Sequence, residues 1–190
     1  MKSIIYLTTN KYKLREAEIV LRDKYGFDLH AMNPDFEIYE IQAKTCDEVA
    51  GFSAQYAANK LGKPCLKSDT GLYIEALGEL PGPYNAYFDK QIGPEKFLNL
   101  IKDETNRKAR IEHCFAYCEP GGEPVIFSGG STGTISYELR GNDGRWHDFF
   151  YIPDGETKTL AEIGDEDPAK KASFYGHAID DLAEWLKTKD

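Results

Sequence analysis

The sequence predicts a mixed α/β protein with a long twisted sheet and helices on its faces, and two observations lead to that class. The unbroken apolar run over residues 4–7 is typical of a strand buried on both faces of a largely parallel sheet. Directly after it, Leu14, Ala17 and Leu21 recur at helical spacing. A chain of 190 residues, 41% of them hydrophobic, is long enough for one substantial core, which favours a single domain or two lobes that share a sheet. We expect a single domain over residues 1–190.

Local signals place the elements in order along the chain. The first strand covers residues 3–8, and Asn10 is the expected cap of a helix over residues 11–24. Thr45 and Glu48 have capping-box spacing at the start of a second helix. The other predicted elements are a strand over residues 28–33, the continuation of that second helix to about Leu61, a helix from Gly93 with proline in its first turn, antiparallel strands over residues 108–118 and 125–134, and a final helix that contains Ser173 and His177.

Charge and hydropathy restrict the possible partners. The formal net charge of -9 repels a polyanion, so we expect no extended nucleic acid as a partner. A small nucleotide remains possible because a metal ion can supply positive charge locally. No apolar run approaches the length of a membrane span, and the first residues lead into a strand, so the expected compartment is the cytoplasm.

The cysteines and histidines do not form a recognisable metal motif. No Cys-x-x-Cys pair occurs, and we expect the cysteines to be free thiols. The residues are Cys46, Cys65, Cys114 and Cys118, with His30, His113, His147 and His177 equally scattered. A zinc site is therefore not predicted.

The stretch around Asp69 is the first candidate for chemistry. Asp69 stands between apolar strand-like residues and Gly71, where a backbone turn would hold its carboxylate at the mouth of a pocket. A carboxylate so placed suits a hard cation or an activated water, and we interpret Asp69 as the reactive centre. Asp-Thr-Gly is also ordinary hairpin-turn chemistry, which is the alternative.

The turn after the first strand is the second candidate. A strand, a short polar turn and a helix together direct backbone N–H groups at an anion. Lys13, in the first turn of that helix, would reach the same anion, and Asn10 lies beside it. A solvated surface lysine is the alternative. By contrast, the glycine-rich residues 129–133 lack the lysine of a P-loop, and we interpret them as a bulged, twisted strand.

Two motifs together resemble the inosine triphosphate pyrophosphatase family. The first is Asp69-Thr70-Gly71-Leu72 with Glu75-Ala76-Leu77-Gly78 and Leu80-Pro81-Gly82-Pro83-Tyr84, and the second is Thr8-Thr9-Asn10 with Lys13 and Glu16. The family hydrolyses purine nucleoside triphosphates with altered bases, such as dITP, ITP and XTP, to the monophosphate and pyrophosphate. The resemblance implies two lobes around a central nucleotide cleft, Mg2+ as cofactor and a homodimer.

The resemblance also implies roles for particular residues. Asp69 and Lys13 would be catalytic, and Glu40 would hold the metal with Asp69. The alternative for Glu40 is an ordinary solvent-exposed glutamate. The substrate-binding residues would be Thr8, Asn10, Lys13, Thr70, Gly71, Trp146, Asp148, Lys171, Ser173 and His177. The family often carries a phosphate-contacting lysine on the second helix, but residues 52–56 contain none, so that contact is missing or comes from elsewhere.

The region expected to contact the base departs from the family pattern. Asp148 matches, but Arg145 stands where the family has the leading aromatic residue, and stacking would fall to Arg145 or Trp146. The family's serine, histidine and arginine appear as Ser173-Phe174-Tyr175, and His177, one helical turn after Ser173, is a candidate to restore a donor. The alternative is that Phe174, Ala178, Leu182 and Trp185 form the core face of an amphipathic helix.

These departures leave alternatives for function. The first hypothesis is a magnesium-dependent nucleoside triphosphate pyrophosphatase. The second is a catalytically weak or inactive member that binds a nucleotide as a sensor or as a subunit of a larger complex. The third retains hydrolysis but changes the preferred base, because losing donors that a keto-purine needs weakens discrimination.

Overall fold

The computed structural model describes residues 3–189 of the chain. These residues contain a seven-stranded sheet. The strands are β1 (Ser3–Tyr6), β2 (Asp28–Ala31), β3 (Cys65–Ile74), β4 (Leu80–Gly82), β5 (Lys108–Cys118), β6 (Val125–Ile135) and β7 (Tyr151–Pro153). Their order is β2-β1-β3-β5-β6-β7, with β4 paired to β3. Strand β1 is parallel to β2 and β3, whereas β4 and β7 are antiparallel to their neighbours. The predicted mixed α/β class is confirmed.

Within residues 3–189, four α-helices lie in the connections between strands and three follow β7. They are α1 (Lys11–Ala17), α2 (Cys46–Leu61), α3 (Asn85–Gln91), α4 (Gly93–Leu100), α5 (Leu160–Glu166), α6 (Pro168–Ser173) and α7 (Ala178–Lys187). The helix predicted over residues 11–24 forms, but its second half, Glu18–Lys24, is a π-helix. Short 3-10 helices cover Glu75–Leu77 and Trp146–Phe149. Within residues 3–189, no helix combines the length and apolar character needed to cross a membrane.

The predicted helix caps are confirmed. The Asn10 side chain accepts hydrogen bonds from the backbone N–H groups of Tyr12 and Lys13, at 2.9 and 3.3 Å. Thr45 and Glu48 form a reciprocal capping box at the start of α2. Because a side-chain oxygen satisfies N–H groups that have no partner inside a helix, these caps fix where α1 and α2 begin.

The predicted turn at Asp69 is wrong. The chain passes through Asp69 as part of β3, which runs without a break from Cys65 to Ile74. Leu66 is in register with Tyr6 of β1, and Leu72 is in register with Gly82 of β4. Pairing on both sides of Asp69 keeps the backbone extended, so the carboxylate projects from a strand face.

The predicted final helix is also wrong in one respect. Ser173 is the last residue of α6, and His177 is the cap of α7, so the two residues do not share a helix face. Gly176 lies between them with a φ of +79°, a left-handed conformation that ends a helix and that glycine adopts without strain.

The chain divides into two compact units. The first unit comprises residues 1–69, 113–129 and 177–190, and the second comprises residues 70–112 and 130–176. Each has its own apolar core. In the first unit the fully buried side chains include Tyr6, Leu21, Leu66 and Phe115, and in the second they include Leu72, Phe97, Ile111, Phe150 and Tyr151.

The alternative for the C-terminal segment holds for the last helix but not for Phe174, and the predicted state of the cysteines is confirmed. Ala178 and Leu182 are buried in the first core, Trp185 packs against it, and Phe174 packs against the second core. All four cysteines are buried free thiols.

Candidate active site

The two predicted catalytic side chains meet in the first unit. Lys13 Nζ lies 3.8 Å from Asp69 Oδ1, and each side chain keeps about one seventh of its surface exposed, 16% for Lys13 and 14% for Asp69. Lys13 Nζ also donates a hydrogen bond to the backbone carbonyl of Ser68 at 3.0 Å. The first turn of α1 therefore holds an ammonium group beside a carboxylate on β3, accessible to a ligand.

Buried contacts between β1 and β3 position this pair. The hydroxyl groups of Tyr6 and Ser68 lie 2.5 Å apart in the interior. In the turn after β1, the Thr8 hydroxyl accepts a hydrogen bond from the Asn10 N–H at 3.2 Å. Thr8 and Asn10 thus lie in the same turn that leads into Lys13, as the sequence predicts. Thr8 is half-buried and Asn10 is exposed, so neither belongs to the core.

Glu40 comes from a segment without regular structure between β2 and α2. The segment is tied to α2 because the Ser53 hydroxyl donates to the Tyr39 carbonyl at 3.1 Å. Glu40 itself is exposed. Its carboxylate is close enough to Lys67 on β3 to favour the charged form of that lysine, which places it near the Asp69 region of the first unit.

Lys67 belongs to the same group of charges and was not predicted as a site residue. Burial lowers the pKa of Lys67 and the charge of Lys13 lowers it further, whereas Glu40 and Asp69 oppose that shift. The signal that would have revealed Lys67 is its two-residue offset from Asp69, which places both side chains on one strand face. Reading Asp69 as part of a turn concealed that relation.

The first unit offers carboxylates rather than nitrogen or sulfur donors to a metal ion. Within residues 3–189 no group of three or more histidine, cysteine, aspartate or glutamate side chains could hold one. Mg2+ commonly takes only one or two protein carboxylates, completed by substrate phosphates and water. Glu40 and Asp69 fit that kind of donor set.

Asp148 anchors a second group of predicted residues, in the second unit. It is completely buried, and its Oδ2 lies 2.6 Å from Lys171 Nζ. The Tyr175 hydroxyl donates to Oδ1 at 2.8 Å, and the Arg145 backbone N–H donates to Oδ2 at 2.7 Å. His147 Nε2 is 3.4 Å from Oδ1. Tyr175, which the sequence analysis counted only as a departure from the family pattern, is a member of this network.

Positive neighbours keep the Asp148 carboxylate charged. Burial by itself would raise its pKa, but the charges of His147, Lys171 and Arg145 outweigh burial and lower the pKa to about 2. The Arg145 guanidinium also lies 4.5 Å from the centre of the Tyr175 ring. Gly164 of α5 permits the close packing of the lysine, because a Cβ there would lie 2.5 Å from Lys171 Cδ.

This pKa shift predicts how stability depends on pH. The folded-state pKa is below the ordinary value of 3.8, so the contribution of Asp148 is present above about pH 4 and is lost as the pH falls to about 2. The full contribution is about 2 kcal/mol. We expect the difference in unfolding free energy between the wild type and Asp148→Asn to shrink by that amount between pH 5 and pH 2. A difference that stays constant over this range would contradict the assignment.

The remaining predicted residues of the second unit differ in accessibility. Trp146 is 6% exposed and packs edge-on against Phe97 and Phe150, with ring centres 5.0 and 5.1 Å away, so its ring is largely covered by its own core. Ser173 is exposed, and its hydroxyl donates to the Lys170 carbonyl. The Thr70 hydroxyl is buried and has no hydrogen-bond partner within residues 3–189.

His177 and Gly71 complete the predicted set. His177 is exposed and belongs to the first unit, whereas Ser173 belongs to the second. Gly71 is a buried residue of β3. The predicted residues thus fall into two groups: Thr8, Asn10, Lys13, Glu40, Asp69 and His177 in the first unit, and Thr70, Gly71, Trp146, Asp148, Lys171 and Ser173 in the second.

A cavity of about 390 Å3 in the second unit involves none of the predicted residues. Arg110 lines it and lies 3.9 Å from the centre of the Tyr73 ring. The guanidinium also pairs with Glu79 and with Glu112. Since Arg110 is already paired with two carboxylates, this cavity is a weaker candidate than the Lys13–Asp69 pair.

Together, the sheet and the two groups of charges define an α/β protein with a carboxylate–ammonium site at the first helix and a buried carboxylate network. The chain belongs to the Ham1 family, whose model matches residues 4–185. This confirms the family resemblance drawn from the two sequence motifs.

Individual relatives agree over nearly the whole chain. A dITP/XTP pyrophosphatase of Methanopyrus kandleri is 41% identical over 97% of this chain and 96% of its own length. A dITP/XTP pyrophosphatase of Methanosarcina mazei is 36% identical over 98% of both chains. Among solved structures, a HAM1 protein from Coxiella burnetii superposes with a TM-score of 0.80 at 27% identity, covering 99% of this chain and 100% of its own.

Proposed function

We propose that this protein is a nucleoside triphosphate pyrophosphatase that hydrolyses purine nucleotides with altered bases, such as dITP, ITP and XTP. The products are the nucleoside monophosphate and pyrophosphate. The observation that supports this most strongly is the contact between Lys13 and Asp69, because the reaction needs a cation for phosphate and a carboxylate for water. The relatives from M. kandleri and M. mazei are dITP/XTP pyrophosphatases, which supports the same activity here.

In the proposed reaction Asp69 acts on the water. A water oxygen attacks the α-phosphorus, a new P–O bond forms, and the bond from the α-phosphorus to the bridging oxygen breaks. Asp69 orients the water and accepts its proton, and pyrophosphate leaves with the electron pair of the broken bond. Asp69 suits this role because its carboxylate is fixed on a strand yet remains partly exposed.

Lys13 is proposed to neutralise negative charge on the phosphate chain. Its position is fixed by the Asn10 cap and by the hydrogen bond to the Ser68 carbonyl. Negative charge that builds on the leaving pyrophosphate is stabilised by an ammonium group already in place. Thr8 and Asn10, in the same turn, are proposed to contact the phosphates as well.

Mg2+ is the proposed cofactor, and Glu40 and Asp69 are the residues that would hold it. When bound, the ion would neutralise phosphate charge and act as a Lewis acid on the phosphoryl oxygens. Glu40 is exposed, so its carboxylate is accessible to an ion that arrives with the substrate.

The other residues proposed to bind the substrate are Thr70, Gly71, Trp146, Asp148, Lys171, Ser173 and His177. The buried Thr70 hydroxyl, without a partner in the described chain, is a group that a ligand would satisfy. Asp148 and Lys171 are paired with each other, so we propose that they shape the pocket as a unit. A homodimer in the cytoplasm completes the proposal.

A substrate panel tests this function. The purified protein would be incubated with Mg2+ and dITP, XTP, dUTP or each of the four standard deoxynucleotides, and pyrophosphate release would be measured. We expect kcat/KM for dITP and XTP to exceed that for dATP by at least about 100-fold. Tight dITP binding without turnover would instead indicate a nucleotide sensor, and a preference for a standard nucleotide would overturn the assignment of the base.

A further inference from the structure

Lys67 shares a strand face with the proposed catalytic carboxylate. It precedes Asp69 by two residues on β3, and side chains at that spacing leave the same face of a strand. The burial pattern agrees: Lys67 and Asp69 are half-buried, whereas Leu66, Ser68 and Thr70, which alternate with them, are buried. The ammonium of Lys13 reaches this same strand at Ser68 and Asp69.

Within residues 3–189 the ammonium of Lys67 makes neither a hydrogen bond nor an ion pair. Lys67 as a residue is half-buried. Removing an ammonium from water without a partner is costly. A structural lysine would ordinarily recover that cost through a carboxylate or carbonyl in contact, so the group is better suited to a ligand.

The surrounding charges favour an anionic ligand. Lys13 adds a second positive charge within electrostatic reach of Lys67, and Glu40 and Asp69 supply the carboxylates proposed to hold a cation. The ammonium groups of Lys13 and Lys67 repel each other. A chain of phosphates relieves that repulsion by binding both groups.

From these observations we infer that Lys67 is a second phosphate-binding residue, which contacts the polyphosphate chain of the substrate beside Lys13. The inference rests on the proposed function and deepens it. It also accounts for the phosphate contact missing from α2. Ser53 of that helix turns its hydroxyl to the Tyr39 carbonyl, and Lys60 lies in the last turn with its ammonium 5.8 Å from the centre of the Tyr56 ring.

Binding of tripolyphosphate, a probe without base or sugar, tests the inference directly. Calorimetry with Mg2+ present would compare the wild type with Lys67→Met, Lys67→Arg and Lys63→Met. We expect Lys67→Met to weaken tripolyphosphate binding by about 10- to 100-fold, the effect of losing one charge-assisted contact. Lys67→Arg should restore binding to within about 5-fold, because a guanidinium also binds phosphate.

Lys63→Met is the matched control. Lys63 is an exposed lysine in the turn before β3, so the variant removes the same charge and should change affinity by less than about 3-fold. Unchanged tripolyphosphate binding by Lys67→Met, or equal losses in both methionine variants, would overturn the inference. So would a wild type that does not bind tripolyphosphate.

Kinetics separate this inference from the proposed function. In an active wild type, Lys67→Met should raise the KM for dITP by about the factor lost in tripolyphosphate affinity. If the wild type binds tripolyphosphate but hydrolyses no nucleotide, the proposed function fails while Lys67 remains a phosphate-binding residue. If the wild type is active and Lys67→Met matches it in KM and tripolyphosphate affinity, only the inference about Lys67 fails.

Discussion

Replacing Asp69 by asparagine is expected to reduce kcat for dITP by about 100- to 10,000-fold, the usual contribution of a positioned acid or base. Asparagine keeps the size of the side chain but cannot accept a proton from the attacking water. Lys13 should stay in place, because it also donates to the Ser68 carbonyl at 3.0 Å. Pyrophosphate release under saturating dITP measures the effect.

A matched control uses Asp28 of β2. Asp28→Asn makes the same chemical change on a strand residue whose side chain is 49% exposed, and should leave kcat within about 2-fold. Far-UV circular dichroism and the thermal midpoint would establish that Asp69→Asn is folded. Retention of most of the wild-type kcat in folded Asp69→Asn would contradict the role given to this carboxylate.

The largest expected loss of stability comes from Lys171→Met. Lys171 is 9% exposed and pairs with the completely buried Asp148 at 2.6 Å. Removing one member of a buried ion pair leaves the other charge inadequately compensated, which costs about 3 to 5 kcal/mol. Methionine preserves most of the apolar stem beside Gly164, so the lost charge rather than lost packing should dominate.

Lys170→Met supplies the comparison for that variant. The adjacent Lys170 pairs with Glu156 at 2.8 Å, but its side chain is 48% exposed, and a surface pair contributes less than about 1 kcal/mol. Urea unfolding of both variants at neutral pH measures the difference. Equal and small losses in the two variants would mean that the Asp148 network does not stabilise the second unit.

Local signals in the sequence were sufficient for much of the fold. Asn10 and Thr45 cap helices through hydrogen bonds to residues two or three positions away, so a short window of sequence contains the necessary information. The apolar run at residues 4–7 likewise indicated β1, in which Ile4 and Tyr6 are buried and Ile5 is half-buried. The contact between Lys13 and Asp69 was anticipated only through the joint occurrence of two motifs.

Contacts between distant residues explain what the sequence did not reveal. Asp-Thr-Gly favours a turn locally, but pairing of β3 with β1 and β4 keeps Asp69 extended. That error also hid Lys67, whose relation to Asp69 depends on strand alternation. Tyr175 lies 27 residues from Asp148, and no local pattern indicates their hydrogen bond. Gly176 separates α6 from α7 with a φ of +79°, although the apolar spacing continues across it.

The site of bond cleavage in dITP tests the central claim most directly. Phosphorus NMR would follow dITP hydrolysis by the wild type with Mg2+ in water labelled with heavy oxygen. Attack at the α-phosphorus, oriented by Asp69 beside Lys13, predicts equal amounts of dIMP and pyrophosphate, with the heavy oxygen in dIMP. Release of orthophosphate with dIDP, or heavy oxygen in pyrophosphate instead of dIMP, would contradict it.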